Sequence, residues 1–156
     1  MTALTFANNG TKIYIGTTVA ATTVSAYAAD TYTEITGASD IGDFGDTANE
    51  IKIDIISDGR THKAKGTFDA GTMTLKCAYN STDAGQTALI AAVASPLGYN
   101  FKVVGNDKIT TGGTNSIAYF NAKVMSKSLG HGTANNIVML NSSLAIDSPV
   151  LNVAAT

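Results

Sequence analysis

The chain has 156 residues and a mass of 16.0 kDa; 44% of the residues are hydrophobic, only 14% are charged, and the net charge is −2. That length fits a single domain, 1–156, and the apolar fraction excludes an intrinsically disordered chain. Without a basic excess a general nucleic-acid binder is excluded as well, and no apolar run is long enough to span a membrane as a helix.

Residues 1 to about 10 read as an N-terminal arm carrying Leu4 and Phe6 and ending in the turn signal Asn9-Gly10. A short strand follows from Lys12 to Gly16, with Ile13 and Ile15 on one face. The stretch from about 17 to 31 is rich in Thr and Ala without a clean period, so it reads as a long irregular loop. Uncommon lengths of loop in a compact domain usually have a task. It has no basic region leading into an apolar one, so it is not a secretory signal.

Tyr32 to Ile35 is strand-prone. The segment from about 37 to 49 is a second long loop, rich in Gly and Asp, with Ile41 and Phe44 isolated inside it. Ile51, Ile53 and Ile55 then alternate with Lys52 and Asp54, which predicts a half-buried strand. Asp58-Gly59 is a hairpin signal, and Arg60 to Phe68 is the polar return strand. After the turn Asp69-Ala70-Gly71, the residues Met73, Leu75, Cys77 and Tyr79 alternate with polar neighbours. Residues 50 to 79 therefore predict a three-stranded meander. Cys77 cannot form an internal disulfide and reads as a small buried hydrophobe.

One helix is predicted, around residues 83–95. Ser81, Thr82 or Asp83 can cap it, Gln86 stands in capping-box position, and Pro96 stops it. Further strands follow at Tyr99 to Val104, Ser116 to Ser126 and Asn136 to Ile146. Ala118, Phe120, Ala122 and Val124 share one face of the longest. Residues from about 147 to 156 form a C-terminal tail with Val150 and Leu151. The expected fold is mainly β: a β-sandwich or partly closed barrel of two antiparallel sheets with one flanking helix.

Charge is divided along the chain. From Asp30 to Asp58 eight acidic residues stand against Lys52 alone, a net of −7; from Arg60 to Lys127 eight basic residues stand against three Asp, a net of +5. Asp40, Asp43 and Asp46 are spaced by three and lack the pattern of a calcium loop, so they read as a solvated or interface loop. His62 and His131 are far apart and in no metal-ligand spacing. There is no nucleophile elbow and no phosphate-binding loop. Catalysis has no support, and no cofactor is expected. The exposed apolar residues Leu4, Phe6, Ile41, Phe44, Val150 and Leu151 would be liabilities on a free monomer; as docking elements between copies they make sense. Divided charge suits a head-to-tail contact of the kind that builds rings or filaments.

The ordered series Tyr32-Thr33-Glu34-Ile35, Ser39-Asp40-Ile41-Gly42-Asp43-Phe44-Gly45, the Ile51 to Ile55 strand, Asp58-Gly59, Lys65-Gly66, Asp69-Ala70-Gly71, Asp83-Ala84-Gly85-Gln86 and Phe120-Asn121-Ala122-Lys123-Val124-Met125-Ser126 resembles the tail tube proteins of long-tailed, non-contractile bacteriophages. The resemblance covers roughly residues 11 to 148. It implies a small β-sandwich with a flanking helix, six subunits to a ring, and rings stacked into a hollow tube that passes the genome to the host. It implies a virion location after assembly in the host cytoplasm. The implied partners are further copies of the chain, a tape-measure protein, a tail terminator and distal tail proteins, with no membrane. The interface would then include Asp40, Asp43 and Asp46 with the apolar residues above. DNA should pass unbound, so the lumen should be acidic or uncharged. The expected lumen face carries Lys52, Asp54, Thr74 and Lys76, with the lysines neutralised by acidic neighbours, or else the face of Asn121 and Lys123. A carbohydrate-binding or adhesin-like module and a secretion-system tube ring are the alternatives.

Overall fold

A computed structural model describes residues 5–156, so Leu4 lies outside the described residues. In chain order the elements are β1 Lys12–Ile15, α1 Val24–Ala28, β2 Thr33–Ile35, β3 Ala38–Asp40, β4 Thr47–Ile55, β5 Arg60–Asp69, β6 Thr72–Ala78, α2 Ala84–Ala92, β7 Tyr99–Val104, β8 Ile117–Gly130, β9 Met139–Ile146 and β10 Leu151–Val153. The fold is mainly β, with two antiparallel sheets of very unequal size. One has eight strands in the order β2-β1-β7-β8-β9-β6-β3, with β10 also pairing β8; the other is the β4–β5 hairpin alone.

Period-two patterning decides the large sheet. Met73, Leu75 and Cys77 of β6 point inward, as do Ala118, Phe120, Ala122 and Val124 of β8 and Leu140, Leu144 and Ile146 of β9. With Ile13, Ile15, Phe101 and Leu89 they form one continuous core, in which the Phe101 and Phe120 rings stack at 5.7 Å. Cys77 is fully buried, and that burial pushes its thiol up to about 11.

The outermost strands β2 and β3 are consecutive in the chain, separated only by Thr36-Gly37. Two residues span only about 7 Å, so the sheet must curl until its edges nearly meet, without closing into a barrel. The N-terminus of α2 fills that seam. Asp83 caps the helix by accepting from the Gln86 amide at 2.8 Å and from the Thr36 hydroxyl at 2.7 Å. The buried Gln86 side chain donates to the carbonyls of Thr36 and Ala78 and accepts from the Asn80 amide, each at 2.9 Å. One side chain thereby joins the β2–β3 turn to the end of β6. Gly85 permits the approach, because a Cβ there would lie 2.1 Å from the Glu34 carbonyl oxygen.

The stretch from 17 to 31, expected to be irregular throughout, carries the short helix α1. It lies as a strap over the outer face of the sheet. Thr23 caps it, and Tyr27 stacks on Tyr119 at 5.7 Å, burying both rings. One aromatic anchor needs no periodicity, which is why the sequence pattern does not reveal it. Asp30 ties down the strap's end. It accepts from the Thr17 hydroxyl at 2.6 Å, the Thr17 amide at 2.9 Å, the Asn100 side chain at 2.8 Å and the Thr31 amide at 2.8 Å. Burial alone would raise the Asp30 pKa, but these donors outweigh it and hold the carboxyl below its ordinary value; Asp83 behaves the same way. A carboxyl with a depressed folded pKa stabilises the fold above its unfolded pKa, near 4, and that contribution is lost as pH falls through the folded value. Thermal midpoints should therefore fall steeply below about pH 4. Asp30→Asn should cost about 1–2 kcal/mol at pH 7, and its difference from wild type should shrink as the pH drops. A difference that stays constant to pH 2 would exclude this role for Asp30.

The three-stranded meander is corrected. β4 and β5 pair with each other through Ile51↔Ala64, Ile53↔His62 and Ile55↔Arg60, but β5 does not pair with β6, whose two edges are taken by β9 and β3. At the turn, Asp69 accepts from the Gly71 amide at 2.8 Å and Gly71 adopts φ +75°. Ala70 is drawn into the core, so the chain is redirected there instead of folding back alongside β5. The isoleucines of β4 are accordingly exposed, not half-buried.

Candidate assembly surfaces

No side-chain arrangement among the described residues brings three or more His, Cys, Asp or Glu together as metal ligands. No helix among the described residues is long and apolar enough to cross a membrane. What the surface offers is unpaired apolar area, concentrated on the hairpin. Ile51, Ile53 and Ile55 lie on one face of β4, and Ile51 and Ile53 are 54% and 61% exposed. Phe68 of β5 is also exposed, and Ile56, in the turn, is fully so. Among the described residues the hairpin packs substantially on no other element. Two isolated strands are marginal in water, and a long apolar edge is an aggregation hazard unless something covers it.

The opposite face of the hairpin is polar. Lys52 pairs directly across from Lys63, a repulsive arrangement that Glu50 relieves by contacting Lys52 at 3.3 Å and Lys63 at 3.1 Å. Asp54 lies on this same face, opposite Thr61.

Thr74 and Lys76 lie on the outer face of β6, opposite Ser143 and Asn141 of β9, and Lys123 of β8 continues that face opposite Ala145. Lys76 meets Asp40 at 3.6 Å, and Lys123 meets Asp147 at 3.1 Å. These exposed pairs add little stability, but each puts a carboxylate beside a cation. Asn121 is separate from this group. Its side chain donates to Asn100 at 3.0 Å, and its backbone amide donates to the Ser148 hydroxyl at 2.8 Å, so it belongs to the polar network under the strap.

The expected exposure of Ile41 and Phe44 is corrected. Ile41 is buried, and Phe44 packs on Phe120 at 5.4 Å. Gly42, at φ +73°, lies against the backbone of Thr74 and turns the chain so that both apolar side chains face inward. Asp40, Asp43 and Asp46 remain exposed; Asp40 accepts from the Gly42 amide at 2.9 Å, and Asp46 from the Val150 amide at 3.4 Å. Val150 and Leu151 are half-buried, because Val150 packs on the core and Leu151 opens β10, which pairs with β8. Phe6 is half-exposed beside a cavity of about 560 Å³ that Ile41, Phe44 and Val153 also line.

No family model matches the sequence, and no curated protein matches it. Solved structures do match the fold. A chain from the anti-feeding prophage baseplate, 6-fold symmetrised, superposes with a TM-score of 0.73 at 8% identity, over 99% of this chain and 98% of that one. A chain of the sheath/tube terminator of an extracellular contractile injection system, PVC, gives 0.68 at 15% identity over 99% and 100%. The SPP1 tail tube gives 0.60 at 14% identity over 92% and 77%. At these identities the likeness is one of fold: the chain has the fold found in phage and injection-system tail tube proteins.

Proposed function

We propose that this chain is a structural subunit that assembles with copies of itself into stacked rings, forming the hollow tail tube of a phage-like particle through which DNA passes. The observation that carries the reading is the β4–β5 hairpin, whose isoleucine face has no covering among the described residues. A monomer gains nothing from such a ribbon, whereas a neighbouring subunit can bury it. The polar outer face of β6, β9 and β8 suits a lumen. Its lysines Lys76 and Lys123 each have a carboxylate within 4 Å, which weakens the phosphate neutralisation that drives non-specific DNA binding. Hexameric rings, a tape-measure protein inside the tube, and terminator and distal tail proteins at its ends belong to the same proposal, as does a virion location.

The binding-module alternative fares worse. It calls for exposed aromatics on one face, yet Tyr27 and Tyr119 are buried against each other, and Tyr14 and Tyr32 sandwich the Lys102 ammonium at 4.5 and 4.7 Å. Electron microscopy of negatively stained protein, with sedimentation across a concentration series, tests the reading. Rings or tubes with a central hole are expected; a protein that remains monomeric at the highest concentration is not a tube subunit.

A further inference from the structure

The turn of the hairpin is a knob without a hole. Ile56 is fully exposed, Ile55 beside it is 40% exposed, and Asp54 and Asp58 flank them. Past the end of β6 is a hole without a knob. A cleft of about 380 Å³ opens there, lined by Tyr79, Ile90, Lys127, Ser128, Leu129 and Leu140. Its position follows from the strands. β7 pairs with β8 only as far as Ala122, so along the rest of β8 the edge that faced β7 has no strand partner among the described residues. β9 holds the other edge. Lys127 is opposite Ser142 and Leu129 opposite Leu140, so both lie on the inward side of the sheet, past the point where core fills it. Lys127 has no ion-pair partner among the described residues.

We propose that Ile56, with Ile55, of one copy inserts into this cleft of a second copy, with Asp58 brought against Lys127. The proposal rests on the tube-subunit reading and names the partner surface within it. Charge selects this cleft over two larger cavities, and a smaller one of about 300 Å³, with Lys63 and Lys65, lies on the hairpin itself and already holds Glu50. Of the larger two, one is lined by Asp107 and the other by Asp46, Asp69 and Asp147, and neither has a basic residue. The tip carries Asp54 and Asp58, with Arg60 opposite Ile55 and His62 against Asp58, and in either of these cavities its carboxylates would meet like charge, a cost that rises as the contact desolvates. The cleft with Lys127 has no acidic residue.

Geometry makes the contact head-to-tail. The hairpin is rooted at Thr47 and Asp69, next to the start of β6, whereas Tyr79 of the cleft follows the end of β6. The seven residues of β6 separate them, roughly 23 Å. The hairpin's root and the hole therefore lie at opposite ends of β6, and because knob and hole are different surfaces each copy can offer one and accept another. A heterologous contact of this kind propagates, closing into a ring or extending into a filament.

The test mixes two variant chains, Ile56→Cys and Leu129→Cys, lets them assemble, oxidises them and resolves them on a non-reducing gel. Buried Cys77 stays out of the exchange. A disulfide joining the two different chains, absent from either variant alone, is expected. Tubes that form without that disulfide would show that the hairpin docks elsewhere, and the tube reading would survive. A wild-type protein that never assembles overturns both. Independently, Ile56→Asp should leave the melting of the monomer unchanged and raise the concentration of half-assembly about tenfold or more. Assembly at wild-type concentration would overturn the docking.

Discussion

Gly85→Ala will lower the thermal midpoint of the monomer by about 10 °C, a loss of about 3 kcal/mol in a domain of this size. The added Cβ would sit 2.1 Å from the Glu34 carbonyl oxygen and 2.8 Å from the Ile35 Cα. Both are backbone atoms of β2, so no side-chain rotation relieves the clash. Either β2 moves outward or the first turn of α2 does. Both movements pull Gln86 away from the Thr36 and Ala78 carbonyls, leaving buried polar groups without partners. Gly59→Ala is the control. Gly59 also has a positive φ, +60°, but nothing lies within 4 Å of its added Cβ, so only the left-handed backbone is penalised, by about 1 kcal/mol. Calorimetry of both variants decides the matter. Equal midpoints would mean that the contact of α2 with β2 is not what holds the edges of the curled sheet together.

The seam also shows where sequence reading reaches and where it stops. Asp83 with Gln86 three residues later is legible as a helix start, because capping depends on local spacing. That Gln86 also bridges two strand ends is not legible, since Thr36 and Ala78 meet it only after the sheet has curled. The strands β6, β8 and β9 are legible because each has a buried and an open face, which imposes alternation. The same alternation misleads at β4. Ile51, Ile53 and Ile55 follow the pattern of a strand lying on its own core, and an uncovered face carries the identical signal. Ile41 and Phe44 mislead in the opposite direction: isolated among Gly and Asp they read as exposed, yet each is a single anchor fixed in the core.

Charge teaches a related lesson. The acidic first half and the basic second half suggest two opposed surfaces, but folding interleaves them. Asp40 meets Lys76, and Glu50 meets Lys63. Separation along the chain is thus not separation in space, and long-range charge attraction is a weaker argument for assembly than the uncovered isoleucines. The packing of Ile41 and Phe44 also bears on how the acidic loop can be tested. Deleting residues 40–46 would remove two core side chains and the end of β3, so it cannot leave an intact monomer on which to judge assembly.

The hairpin allows a cleaner separation of folding from assembly. The double variant Ile51→Thr/Ile53→Thr keeps β-branched residues, and so keeps the strand preference of β4. Neither side chain contributes to the core, so the monomer should melt within about 2 °C of wild type. Assembly should respond very differently. Fully burying an isoleucine is worth about 1.5–3 kcal/mol, and these two are each more than half exposed in the free chain. Losing about half of that value twice, about 1.5–3 kcal/mol in all, raises the concentration for assembly by about tenfold to a hundredfold. The matched variant Lys52→Thr/Asp54→Thr alters the other face of the same strand and should shift assembly far less. Light scattering against concentration, run beside calorimetry on each variant, separates the outcomes. If the charged-face variant blocks tubes and the isoleucine variant does not, the hairpin docks through Lys52 and Asp54. If neither shifts assembly, the hairpin is not an interface, and the uncovered apolar face has lost its explanation.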